Sequence, residues 1–216
     1  MKKVAVVLSG CGVYDGAEIY ESVLTLLAIE QGGACYQCMA PNIDQMHVIN
    51  HRSGEVMADQ RRNVLTEAAR LARGEIIDLA QANPADYDAL IIPGGFGAAK
   101  NLSNFAVAGA AAVVTPELIS FAQAIHAAGK PVGLICIAPA MTPLLFGDAL
   151  CTIGNDKEIA TAIETMGGQH QECDCSNIII DETRKIVTTP AYMLAGSISE
   201  AAVGINKLVD KVLQLS

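Results

Sequence analysis

Short apolar runs alternate with helical periods along almost the whole chain, and this alternation restricts the folds open to it. Residues 3–8 (KVAVVL), 34–40, 89–93 and 131–136 read as strands, the last two uninterrupted by polar residues, as strands buried on both faces are. Residues 16–31, 59–73, 116–129, 156–166 and 197–214 have helical spacing. Thr115 stands where a cap is expected, Pro116 at the first helical position and Gly129 at the stop. Two hairpins are expected, one over 46–57 turning at Arg52–Gly54 and one over 178–189. Strands that alternate with helices imply a mostly parallel, doubly wound α/β sheet with helices on both faces. No repeat or linker divides the 216 residues, so a single domain over 1–216 is expected.

Charge narrows the partners. With 23 acidic and 14 basic residues the formal net charge is −9, which opposes binding to nucleic acid or to an anionic membrane surface. No apolar run approaches the ~20 residues of a membrane span. The opening MKKVAVVLSGC imitates a lipoprotein signal with Cys11 as the lipidated residue, but Val4–Leu8 is shorter than the ~7–15 residues of a signal core. The same segment makes a good first strand, and a cytoplasmic protein is expected. Seven cysteines, an odd number, show no disulfide framework and suit a reducing compartment. Cys35 and Cys38 have redox-motif spacing but lie in a strand pattern. His170, Cys173 and Cys175 form at most half of a metal site, and no second half is recognisable; no metal or cofactor is expected.

In a doubly wound sheet, ligands collect beyond the carboxyl ends of the strands. Three turns at that edge carry unusual residues: SGCGVYDGAE, PGGFGAAKN and CIAPAM. The last places Cys136 between a strand and a helix, the position of a nucleophile elbow. A helix start lowers a thiol's pKa, whereas a core cysteine is the structural alternative. Successive glycines, Gly94 and Gly95, let backbone N–H groups approach a ligand, and with the N–H of Ile137 they would form an oxyanion hole. The GGFGAAKN string lacks phosphate-loop spacing, and Lys100 is either at the pocket rim or a solvated lysine.

Taken together, LSGCGVYDGAEI, PGGFGAAKNLSNFA, CIAPAM and KIVTTPAYMLA resemble the ThiJ/PfpI superfamily, and more narrowly its ElbB-type enhancing-lycopene-biosynthesis proteins. The resemblance covers nearly the whole chain. It implies a flavodoxin-like fold shared with class I glutamine amidotransferases, a common tendency to form homodimers, an isoprenoid link and a glyoxalase activity. It also implies a glutamate in the first helix beside the elbow cysteine. Counting from the end of the first strand gives Glu18, with Glu21, one turn on, as the second choice.

Histidine is missing where the superfamily's hydrolases have it. Ile137 follows the cysteine where PfpI-type peptidases resemble one another in having histidine. Around Pro190, Thr189 and Ala191 stand where amidotransferases have a histidine and a glutamate. A hydrolase must protonate a poor leaving group, so protease and amidotransferase activities are not expected. His47 and His51 flank a hairpin tip, His126 sits at a helix C-terminus, and only His170 stays open. Thiolate addition to a small 2-oxoaldehyde expels nothing and asks only for Cys136 and a carboxyl shuttle, Glu18. A cofactor-free conversion of glyoxal to glycolate is therefore expected. Turnover should be low, because residues 142–156 lack the histidine of dedicated glyoxalases of the superfamily. The alternative is a non-enzymatic redox-responsive or regulatory protein with an oxidisable Cys136.

Overall fold

The computed structural model describes all residues from Met1 to Ser216. Its strands are β1 (Lys3–Val7), β2 (Cys35–Ala40), β3 (Ile76–Asp78), β4 (Ala89–Ile92), β5 (Val132–Ile135), β6 (Leu150–Cys151), β7 (Gln169–His170), β8 (Ile179–Asp181) and β9 (Ile186–Thr189). The helices are α1 (Ile19–Gln31), α2 (Val64–Leu71), α3 (Phe105–Ala108), α4 (Pro116–Ala127), α5 (Thr142–Phe146), α6 (Lys157–Thr165) and α7 (Ile198–Leu215). Seven strands form one sheet in the order β3-β2-β1-β4-β5-β9-β8. Every neighbour is parallel except β8, which pairs antiparallel with β9 as the expected 178–189 hairpin.

Why the central strands read as unbroken apolar runs is visible in their packing. In β1, Val4 and Val6 face a core built with α1, α2 and α7, while Ala5 and Val7 face a second core built with α4 and α5. The period-2 alternation therefore sends both sets of side chains into apolar surroundings. On the first side Ile205, Leu208, Val209 and Val212 of α7 lie against the sheet and α1. Gly133 of β5 makes room for them: a Cβ there would come within 2.8 Å of Leu208 Cδ2.

The 46–57 hairpin exists as a single antiparallel bridge, Ile49 to Val56, closed by the Asn50 N–H donating to the Glu55 carbonyl (2.9 Å) and the Met57 N–H to the Val48 carbonyl (2.8 Å). Three elements have too few residues to show a period: β3, and the separate two-stranded parallel ribbon of β6 and β7. Helix α1 begins at Ile19, three residues later than its apolar pattern suggests, because Glu18 is its N-cap. Thr115 occupies the N-cap of α4, yet its hydroxyl makes no capping bond and is buried without a partner. The small-residue segment 100–114, open in sequence terms between a lid and a subunit contact, folds as helical turns including α3. Its Phe105 and Ala112 pack with Ala140 and support Ile137 and Ile159.

Candidate active site

Strand β5 ends at Ile135, and the next residue, Cys136, takes φ +63°, a left-handed conformation rare outside glycine. The chain then passes through a 3-10 turn, Ala138–Met141, into α5. The Cys136 N–H still donates to the Thr189 carbonyl at 2.9 Å, so the elbow is tied to β9 while its side chain is turned out of the sheet pattern. Such a residue stores backbone strain that the surrounding packing must hold, a common trait of nucleophile turns.

Two other carboxyl-edge turns close on it. The Gly10–Gly16 loop after β1 and the Gly94–Gly97 loop after β4 lie backbone to backbone. Phe96 N–H donates to the Val13 carbonyl (2.8 Å), Gly97 N–H to the Gly16 carbonyl (2.8 Å) and Glu18 N–H to the Gly94 carbonyl (3.0 Å). Gly94 is wedged still more tightly. A Cβ on it would lie 2.4 Å from Cys136 Cβ, 2.7 Å from Glu21 Oε2 and 2.9 Å from the Ile135 carbonyl. Two of those obstacles are backbone or Cβ atoms that cannot swing aside. We predict that Gly94→Ala lowers stability by about 3 kcal/mol or more, at the upper end of overpacking costs, read as a fall in the urea midpoint.

Glu21, the second choice from sequence, is the carboxyl that meets the thiol. It is fully buried; Oε2 accepts the Gly94 N–H at 2.9 Å, Oε1 accepts the Tyr192 N–H at 3.2 Å, and the carboxyl interacts with Cys136. Burial first, and the neighbouring charge of Glu18 second, push Glu21 up to about 8, against the opposing pull of those N–H groups and the thiol. The acid is therefore protonated at neutral pH.

Glu18 does something different. Its Oε2 caps α1 by accepting the Glu21 N–H at 2.7 Å, and its side chain lines a cavity shared with Cys136. Burial raises its pKa, while the N–H groups of Glu21, Tyr20 and Ile19 pull the other way. The correction to the count from β1 is thus one of roles: Glu21 holds the thiol and Glu18 faces the cavity.

Expectations for the thiol and its oxyanion donors also need correcting. The helix start does not dominate: burial, then the Glu21 carboxyl, raise the Cys136 pKa well above the ordinary thiol value. The N–H groups of Gly95 and Ile137 favour the thiolate and oppose that rise. The Gly94 N–H is spent on Glu21, leaving Gly95 and Ile137 as the donors at the sulfur.

The cavity over Cys136 has a volume of about 190 Å³. Glu18, Cys136 and Tyr192 are among its lining residues, and the exposed wall is almost wholly apolar. Tyr192 is a residue that sequence reasoning did not single out. It contributes a backbone N–H to Glu21, which no side-chain pattern reveals, and a ring that packs 6.1 Å from that of Tyr20.

Known proteins resemble the chain along its whole length. No protein-family model matches the chain. Over 99% of its length it is 44% identical to human glutamine amidotransferase-like class 1 domain-containing protein 3, mitochondrial, of which it covers 83%. It is 43% identical, again over 99% of its length, to the rat ES1 protein homolog, mitochondrial, of which it covers 84%. The crystal structure of an isoprenoid biosynthesis protein with amidotransferase-like domain from Ehrlichia chaffeensis matches it with a TM-score of 0.93. That protein is 34% identical, and the match spans 100% of this chain and 99% of that one. The chain belongs to the glutamine amidotransferase-like class 1, ES1-type family. Drosophila melanogaster DJ-1beta, at 17% identity and a TM-score of 0.56 over 99% of this chain and 95% of its own, shares the fold.

Not every residue singled out in this amidotransferase-like chain reaches the cavity. His170 lies in β7, where its Nε2 accepts the Ile153 N–H at 3.3 Å, and it does not line the cavity. Lys100 donates to the Tyr14 carbonyl at 2.9 Å and sits 4.9 Å over the Phe96 ring, and it does not line the cavity. Cys35 and Cys38 are free thiols of β2, three residues apart and hence on opposite faces of the sheet. Cys173 and Cys175 are free as well. No helix is long and apolar enough to cross a membrane.

Proposed function

We propose that the protein is a cofactor-independent glyoxalase that converts glyoxal to glycolate through a Cys136 hemithioacetal. The observation that supports this most is the pairing of a strained elbow thiol with a neutral buried carboxyl, beside a second carboxyl that faces the same cavity. The reactive form has lost one of the two protons held by Cys136 and Glu21. The sulfur adds to an aldehyde carbon, the remaining proton stays on Glu21, and the carbonyl electron pair moves to oxygen beside the Gly95 and Ile137 N–H groups. That oxygen takes a proton from solvent water, which gives the hemithioacetal.

Glu18 then removes the hydrogen from the carbon bonded to sulfur, and the electron pair forms an enediol with the adjacent carbon, whose oxygen is protonated. Return of the proton from Glu18 to that adjacent carbon, with loss of the hydroxyl proton from the first, leaves a 2-hydroxy thioester. Water adds to the thioester, the sulfur leaves with the proton kept on Glu21, and the hydroxy acid is released. The sum is one aldehyde oxidised and its neighbour reduced, with one water consumed and no external oxidant.

A redox-responsive role needs a low-pKa thiolate open to peroxide. Burial, which drives the Cys136 thiol upward, weighs against it and limits the thiolate available to the aldehyde reaction in the same way.

The test is glycolate production from glyoxal by wild-type protein in chelator-treated buffer, with the product identified by NMR. Glu18→Gln should lower the rate about 10²–10⁴-fold, the range for losing a proton-transfer group. Glycolate appearing no faster than in protein-free buffer would overturn the proposal.

A further inference from the structure

The chemistry of the cavity wall says more about the substrate than the reacting groups do. Val13, Gly95, Phe96, Ile137, Ile159 and Met193 complete its lining beside Cys136, Glu18 and Tyr192. Ile137 and Ile159 are fixed from behind by Ala99, Phe105, Ala112 and Ala140, so this wall is a packed surface rather than a loose one. Phe96 is 46% exposed, and the Lys100 ammonium lies 4.9 Å over its ring. The Lys100 chain is itself anchored on the Tyr14 carbonyl, which holds the cation against the ring.

We propose that the preferred substrates are 2-oxoaldehydes whose ketone carbon carries a compact apolar group, of branched-alkyl or aryl size. This rests on the glyoxalase reading and names the substrate class of the same site. A cavity of about 190 Å³ corresponds to roughly six waters at ~30 Å³ each. Glyoxal leaves most of that space unfilled, and its extended hydrates find few hydrogen-bond partners on an apolar wall. A free aldehyde with an isobutyl or phenyl tail fills it. The carbonyl pair would lie at Cys136 and Glu18, and the tail against Ile159, Met193 and Phe96. An apolar wall also favours the unhydrated aldehyde, the only form that the thiolate can attack.

The experiment compares kcat/KM for glyoxal, methylglyoxal and 4-methyl-2-oxopentanal. Alongside it, the rates at which chloroacetone and 1-chloro-4-methyl-2-pentanone alkylate Cys136 are each divided by the rate with free N-acetylcysteine. Each buried methylene is worth about fourfold in kcat/KM, so the branched aldehyde should exceed glyoxal by about tenfold or more. The branched chloroketone should show a similar advantage at Cys136. Ile159→Gln, which puts an amide into the wall, should cut both preferences severalfold.

Cysteine-dependent turnover that is flat or falls along the series would overturn the inference and leave the glyoxalase proposal intact. No turnover of any aldehyde, with the alkylation preference present, would overturn the glyoxalase proposal and support the apolar selectivity of the cavity. Absence of both turnover and alkylation preference would overturn both.

Discussion

Cys136→Ala should reduce glycolate formation to the protein-free rate, a loss of about 10³-fold or to the limit set by the uncatalysed reaction, as removal of a covalent nucleophile does. Alanine is the right replacement because it keeps the Cβ that packs 2.4 Å from where a Gly94 side chain would begin, and because it meets the same left-handed backbone at φ +63°. The backbone strain is thus common to both proteins. The change in stability should stay within about 1 kcal/mol, the ordinary range for a conservative substitution. No other thiol can stand in. Cys38 and Cys151 are buried and pushed up to about 12, and Cys11, Cys35, Cys173 and Cys175 do not line the cavity. The paired readouts are the rate of glycolate formation and the urea midpoint. A full rate with an unchanged midpoint would remove Cys136 from the chemistry; loss of both would mean that the elbow had collapsed and the variant had tested folding instead.

The parts of this site that sequence made legible are those with a period or a compositional mark. The apolar run of β5 stops at Ile135 where the chain leaves the sheet, and the cysteine that follows marks the carboxyl edge. The Gly94–Gly95 pair was visible as a turn, but its use was not: that a Cβ at Gly94 would strike both Cys136 and Glu21 is a fact of three segments meeting. The two glutamates show the limit most clearly. An apolar pattern reading as helix from residue 16 puts Glu18 inside the first turn, whereas the real boundary makes it the N-cap. The error is nearly one helical turn, which is enough to exchange the two carboxyls. The Glu-x-x-Glu spacing was the available clue, since an N-cap acceptor bonds the N–H three residues on, and here it does so at 2.7 Å. Strands of two or three residues, such as β3, β6 and β7, carry no such mark and exist only through their pairing.

Glu21 should make the protein lose stability as pH rises from about 4.5 to about 8. Its carboxyl has a value near 4.5 when unfolded and about 8 in the fold. Between those limits the unfolded chain has released the proton and the folded one keeps it, so unfolding releases a proton and is favoured by higher pH. The contribution is fully present below pH 4.5, falls through the window and is gone above 8. At about 1.4 kcal/mol for each unit of pKa difference, its whole span is on the order of a few kcal/mol. In Glu21→Gln this part of the slope should vanish, because an amide does not titrate. A vertical offset will accompany the change. One of the Gly94 and Tyr192 N–H groups, which now meet Oε2 and Oε1, would face an NH₂ group and lose its acceptor. Slope and offset are separable by urea unfolding of both proteins at several pH values across the window. An identical slope in the two proteins would mean that Glu21 is already ionised in the fold. The thiol would then sit beside a buried negative charge, and the single-proton pair on which nucleophilic attack depends would have no pH-dependent origin near 8. The same titration governs activity in the opposite sense: in wild type the reactive, singly protonated pair grows as pH approaches 8. Glycolate formation should therefore rise over the interval in which stability falls.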